Sequence, residues 1–434
     1  MPIRLMGYVA AAALFACTPL GLPARTGSCS VARVPAPAGD SPSDAGPLAT
    51  NLSSRLTRRD LAMAMKLVGD WQLRRLPADA QYDWTFAALY AGMMAVPAEV
   101  VGDAYKQAMR RIGEQLRWQP GPRVLHADDQ AVGQMYLEQY MLHKDPAMLA
   151  PIKSRMDEEM NTPEDPAKQL WWWCDALFMA PPVLAALSAA TGDPKYLRFM
   201  DHEWDRTNKL LYDDKAHLFS RDATYLDKHE KNGARVFWSR GNGWVVAGLV
   251  RVIDRIPANS PLRAKYVLQL QDMVAGLAPL QGTDGLWKPG LLDAADYPLA
   301  EVSGSAFFTY AMAYGVNHGL LLRKTYEPII QKAWAGMISH VYADGRLGCI
   351  QPVGTAPGPV TETSSYVYGV GGYLLAGSEI YGTALTNSPP SPNTGKRHSP
   401  SASAPASGTP VRTAPAKIPG GSSTSPATSR HSND

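Results

Sequence analysis

Between about Asn51 and Gly382 the apolar residues of this 434-residue chain recur with a helical period, and the segments so marked alternate between two kinds. One kind carries a charged face: Leu61–Trp71, Glu99–Leu116, Ala147–Met160, Lys195–Leu210, Leu262–Leu277 and Glu327–Tyr342. The other is apolar nearly all round and rich in Ala and Gly: Trp84–Ala95, Gln130–Leu142, Ala176–Ala190, Gly243–Ile256, Ser305–Gly315 and Val367–Ile380. A helix that is apolar on every side is buried, whereas one with a charged face lies outside. Six outer helices alternating with six inner ones make six hairpins, and six hairpins closed in a ring make an (α/α)6 barrel. Lys144-Asp145-Pro146 and Gly192-Asp193-Pro194 punctuate two inner-to-outer turns, with proline at the helix start. An open solenoid would need a more regular repeat. The predicted fold is therefore all-α, an (α/α)6 barrel over residues 51–383.

Both ends differ from this core. Met1 to Ala24 holds Arg4 and then the apolar run Gly7 to Ala16, too short to span a bilayer and of the form of a secretory signal. Leu14-Phe15-Ala16-Cys17 is similar to a bacterial lipobox, so Cys17 is either a lipid attachment point or a passive residue of the signal. Residues 25–50 read as a disordered leader. Residues 384–434 read as a disordered Ser/Pro-rich tail, without an aromatic residue to build a core. The net charge of +3 comes from the ends, since five basic residues stand against one acid from Thr386 on. The core is slightly acidic, which sets nucleic acid aside as a partner. Of the four cysteines only Cys174 and Cys349 lie in the core, in no metal-binding spacing. No cofactor or metal is expected, and the chain is expected to be a monomer or weak oligomer that meets a membrane only through a lipid at Cys17.

The unusual residues cluster at the starts of the inner helices. They are Tyr82-Asp83-Trp84, His126-Ala127-Asp128-Asp129, Trp171-Trp172-Trp173-Cys174-Asp175, Phe237-Trp238-Ser239-Arg240-Gly241-Asn242-Gly243-Trp244, Glu301-Val302-Ser303-Gly304-Ser305 and Thr361-Glu362-Thr363-Ser364-Ser365-Tyr366. Inner helices of such a ring run parallel, so these motifs meet at one mouth. Three indoles in a row exceed what packing usually asks for, because each needs a large cavity and a partner for its N–H. Aromatic faces beside an acid suit a sugar site, where rings stack on the pyranose and the acid moves protons. Each carboxylate also has a plainer role as a helix cap, and Arg240-Gly241-Asn242-Gly243 as a simple turn. Ser303-Gly304-Ser305 lacks a histidine partner for a nucleophile.

The runs Trp173-Cys174-Asp175-Ala176-Leu177-Phe178-Met179-Ala180-Pro181, Phe237-Trp238-Ser239-Arg240-Gly241-Asn242-Gly243-Trp244 and Ser303-Gly304-Ser305-Ala306-Phe307-Phe308 resemble the unsaturated glycuronyl hydrolases, and most the unsaturated rhamnogalacturonyl hydrolase branch, glycoside hydrolase families 105 and 88. The resemblance spans roughly Arg58 to Gly382 and implies the same barrel. It implies removal of a 4,5-unsaturated uronic acid from the non-reducing end of lyase-generated oligosaccharides. An aspartic acid protonates C4, water adds at C5, and the product falls apart. The resemblance gives the acid's role to Asp175. It places a second aspartate before the second inner helix, where the spacing to Gly133 favours Asp128 and Asp129 remains a candidate for substrate binding. Arg240 is then expected to meet the sugar carboxylate, and Trp173, Trp238 and Trp244 to stack on rings. Where related enzymes often carry a histidine, this chain reads Leu218-Phe219-Ser220-Arg221-Asp222-Ala223, which makes Arg221 a further substrate-binding candidate and leaves the preferred sugar open.

Two other activities compete. A sugar 2-epimerase or isomerase on the same fold would need paired histidines at the mouth, where only His126 stands. A non-catalytic sugar-binding protein would not need both acids. The leader predicts export, to a periplasm or an outer-membrane anchor. Cell fractionation is expected to find wild type at the membrane and Cys17→Ser soluble if Cys17 carries lipid. Full-length protein in the cytosol, with Met1 to Ala24 attached, would contradict export.

Overall fold

The computed structural model describes residues 37–386. The signal, Cys17 and the tail from residue 387 lie outside the described residues. The outer helices are Arg58–Arg74, Ala104–Gln115, Pro146–Asn161, Lys195–Leu211, Pro261–Leu277 and Arg323–Ile338. The inner helices are Trp84–Ala95, Gly133–His143, Pro181–Thr191, Ser239–Ile253, Val302–Asn317 and Val367–Thr386. Each inner helix packs on the next, and the sixth packs on the first, so the ring closes.

Local chemistry explains where helix bounds depart from the periodicity. Glu99–Leu116 is divided into Ala98–Val101 and Ala104–Gln115, because Gly102 turns the chain at φ 60°. Ala176–Ala190 is divided into Ala176–Met179 and Pro181–Thr191, since Pro181 and Pro182 start a new helix. The last outer helix begins earlier than expected, at Arg323.

The leader is a further correction. From residue 37 it is held by the barrel: Gly39–Asp40 pairs antiparallel with Ser365–Tyr366, and Ala49 N–H donates to Val341 O at 2.8 Å. Asp40 bridges Arg346 at 2.6 Å and Arg75 at 2.8 Å. Its Pro, Ala and Gly gave no local signal, because the bonds that order it reach residues some three hundred positions away.

The Ala and Gly of the inner helices set how closely they pack. A Cβ on Gly371 would stand 2.2 Å from the carbonyl oxygen of Ala88, and one on Gly92 would stand 2.4 Å from that of Gly371. The first and sixth inner helices thus meet backbone to backbone, and the ring closes there. Around them, Phe178, Trp244 and Phe307 fill the axis, with Trp244 4.9 and 4.5 Å from the two phenyl rings. Gly371→Ala is expected to destabilise the fold by about 1–3 kcal/mol, as overpacking does. Gly354→Ala, with nothing nearer than 3.8 Å to the added carbon, should leave the melting temperature unchanged. Equal melting of both variants would show that the helices can separate freely.

Candidate active site

Six carboxylates stand at the starts of the inner helices, and their partners separate them. Asp83 caps the first inner helix, accepting from Thr85 N–H at 3.0 Å. Glu301 caps the fifth, accepting from Ser303 and Gly304 N–H at 2.9 and 2.6 Å. Glu362 is exposed. Asp129 is buried and held by Arg123, whose backbone N–H donates at 2.7 Å and whose guanidinium reaches Oδ1 at 2.6 Å. The Asp129 carbonyl also accepts from Gly121 N–H. Asp129 therefore orders the 121–129 loop and, contrary to its expected role in substrate binding, has little left to offer a sugar. Two acids remain, Asp128 and Asp175.

Asp175 stands at the start of Ala176–Met179 but makes no capping bond. Its polar neighbours are distant: Cys174 Sγ at 3.5 Å and Arg221 Nε at 3.7 Å from Oδ2. Burial pushes its carboxyl up, against the opposing charges of Arg221 and Arg240. Asp128, in the one-turn helix Ala127–Gln130, has His126 Nδ1 at 3.7 Å. Burial first, and then the charge of Asp175, push Asp128 up to about 7. The two acids are therefore electrostatic neighbours, and burial holds both above the usual carboxylate range. Burial and the charge of Arg123 push His126 below its usual value.

Local pairing positions Arg221. Trp173 bridges Asp222, and Cys174 N–H donates to Arg221 O at 2.8 Å, which fixes the 221–222 segment beside Asp175. Asp222 anchors the guanidinium through Nη1 at 2.6 Å and is itself held by Thr224. The other side of the guanidinium covers Trp172 at 5.2 Å.

The aromatic expectations need correction. Trp244 is wholly buried among Trp84, Phe178, Phe307 and Tyr368, so it is core and no sugar platform. Trp238 is buried, and its indole N–H donates to Gln351 Oε1 at 2.8 Å. Of the tryptophan triplet, Trp171 is core and Trp173 is nearly so, lying against His126 with ring centroids 5.0 Å apart. Packing thus claims two of the three indoles, more than composition suggested. Only Trp172 is open, at 45% exposure.

Arg240 also differs from expectation. It is fully buried, its guanidinium donates to the carbonyls of Gln351 and Pro352 at 2.8 Å each, and it stacks on Trp238 and Tyr368. It fastens the 351–352 loop from below and reaches Asp175 through charge alone. Gln351 joins this floor together, since its carbonyl also accepts from Tyr368 O–H and its N–H donates to Glu301. Gln351 and Tyr368 are not apparent from the sequence, because their bonds reach residues farther along the chain. Arg123 has a local signal, six residues before the Asp129 carboxylate that it holds.

The chain is similar to known proteins in sequence and in fold. Residues 60–384 match the model of Glycosyl Hydrolase Family 88. An unsaturated 3S-rhamnoglycuronyl hydrolase of Formosa agariphila is 38% identical over 330 residues, which is 72% of this chain and 88% of that protein. A protein of the same name from an Alteromonas species is 37% identical over 277 residues, 59% of this chain and 67% of the relative. Among solved structures, a glycosyl hydrolase family 88 protein from Bacteroides vulgatus superposes with a TM-score of 0.71 at 30% identity, covering 75% of this chain and 99% of that one. With a closed ring of helical hairpins, two unclamped acids at its mouth and a family match across the whole barrel, this chain belongs to glycosyl hydrolase family 88.

Proposed function

We propose that this glycoside hydrolase removes a 4,5-unsaturated uronic acid from the non-reducing end of oligosaccharides, with Asp175 as the acid and Asp128 as its partner. The observation that carries the assignment is that these two mouth carboxylates alone escape capping, ion-pair clamping or full exposure, and burial pushes both up. A carboxyl that must protonate carbon has to be neutral at working pH. Asp175 gives its proton to C4, which leaves positive charge shared by C5 and the ring oxygen. Water adds at C5 and loses a proton to one of the two carboxylates. The hemiketal opens, and the bond at C1 breaks with release of the remaining sugar as an alcohol.

Arg221 replaces Arg240 as the cation offered to the uronate carboxylate. Its unpartnered Nε lies beside Asp175, whereas Arg240 is engaged with backbone. Trp172 supplies the open ring for stacking. The names of the two relatives favour a substrate of the 3S-rhamnoglycuronyl class. The signal-like leader supports action outside the cytoplasm. The test is loss of the ultraviolet absorbance of the conjugated double bond when the protein meets lyase-generated oligosaccharides. No loss with any such product would overturn the proposal.

Asp175→Asn is expected to lower kcat on the order of 10²–10⁴-fold with the fold intact. Near-wild-type turnover would remove Asp175 from the chemistry. Because Asp175 must stay protonated and burial raises its carboxyl, kcat/KM is expected to fall with rising pH only above the ordinary carboxylate range. A fall already complete within that range would contradict its role as the acid. The shift of Asp128 has a stability consequence. The folded state holds the Asp128 proton up to about 7 and the unfolded state only to 3.8, so stability is lost as pH rises between them. Asp128→Asn should therefore melt like wild type near the lower value and above it at alkaline pH, by a difference of at most about 4 kcal/mol. An alkaline melting point below wild type would show that Asp128 is a stabilising ionised group.

A further inference from the structure

We infer that a cavity behind Trp172 binds a sugar residue on the leaving-group side of the oligosaccharide. This rests on the hydrolase function proposed above and extends the saccharide contact away from the acids. The cavity, about 520 Å³, is walled by the third and fourth outer helices, Pro146–Asn161 and Lys195–Leu211, and by the segment between residues 162 and 170. That volume lies within the usual span of small-molecule sites, roughly 300–1,000 Å³.

Its lining holds buried polar atoms. Glu159 is 2% exposed, and its carboxyl oxygens have no well-formed hydrogen bond, only a weak contact from Gln130. Gln169 Oε1 also lacks a partner. Buried acceptors without donors are uncommon because they are costly. Sugar hydroxyls are the donors that would satisfy them. Met160, Phe199 and the open ring of Trp172 face the same space and suit the C–H faces of a pyranose.

A metal ion fits less well. Glu164, His202 and Glu203 bring ligand atoms within 4.8 Å of one another. Arg206 already sits between them, with Nη1 2.9 Å from Glu164 Oε1 and 3.2 Å from Glu203 Oε1. Its Nη2 donates to the carbonyl of Lys168 at 2.7 Å, which ties the 162–170 segment down. The guanidinium is thus the resident cation.

Trp172 joins the two sites. It lines the cavity, and its ring lies under Arg221, whose Nε stands 3.7 Å from Asp175. A chain with its unsaturated ring at Asp175 would run past Trp172 towards Glu159.

The experiment compares an unsaturated disaccharide with the unsaturated tetrasaccharide from the same lyase digest. Phe199→Trp fills the cavity, and Glu159→Gln alters its acceptor at equal size. Both variants are expected to lower kcat/KM for the tetrasaccharide about tenfold, near 1.4 kcal/mol, and leave the disaccharide unchanged. Equal loss on both substrates, or no loss on either, would overturn the inference. Calorimetric titration with the oligosaccharide left after hydrolysis separates this from failure of the hydrolase function. Wild type should bind it more tightly than Phe199→Trp even if no turnover is seen, and equal affinity would overturn the cavity as a sugar site.

Discussion

A carboxyl group that is buried without a strong donor raises the free energy of the fold whenever it ionises, and the mouth of this barrel holds two. Asp175 has only a thiol at 3.5 Å and a guanidinium nitrogen at 3.7 Å, and Asp128 feels the charge of Asp175. Such a pair relaxes by taking up a proton, and a retained proton is what the proposed chemistry at C4 needs. The rest of the structure follows from holding the pair in place. The ring must be rigid, so the first and sixth inner helices meet with no side chain between their backbones. The mouth must keep its shape, so Asp83, Glu301 and Asp129 are engaged in caps and in the Arg123 clamp.

The two arginines divide their work by depth. Arg240 is buried under Trp238 and Tyr368 and fastens Gln351 and Pro352, so it shapes the floor. Arg221 lies nearer the surface on Trp172, anchored through Asp222, and keeps Nε free of hydrogen bonds. Both oppose the upward shift of Asp175 without cancelling it. A guanidinium offers a fork that fits a carboxylate, and of the two arginines Arg221 is the less engaged.

Much of the fold was legible because alternating apolar and amphipathic helices leave a periodic trace, and burial all round tells inner from outer. The breaks at Gly102 and Pro181 were legible in principle, since both residues punctuate helices. The docking of residues 37–50 was not, because its bonds to Ser365, Tyr366 and Val341 are non-local. At the site, position along the chain identified Asp128 and Asp175 but could not tell a free acid from a clamped one. Asp129 differs from Asp128 only through Arg123. For the same reason Trp244 and Trp238 looked available while the core and Gln351 had already engaged them.

The most direct test is to run the reaction in D2O and read the released uronic-acid product by NMR. Protonation of the double bond by Asp175 predicts deuterium on a single face of C4, and Asp175→Asn should form the labelled product on the order of 10²–10⁴-fold more slowly. Direct cleavage at C1 would release an unsaturated ring that opens to an enol and takes deuterium from solvent on both faces of C4, and that result would contradict the account.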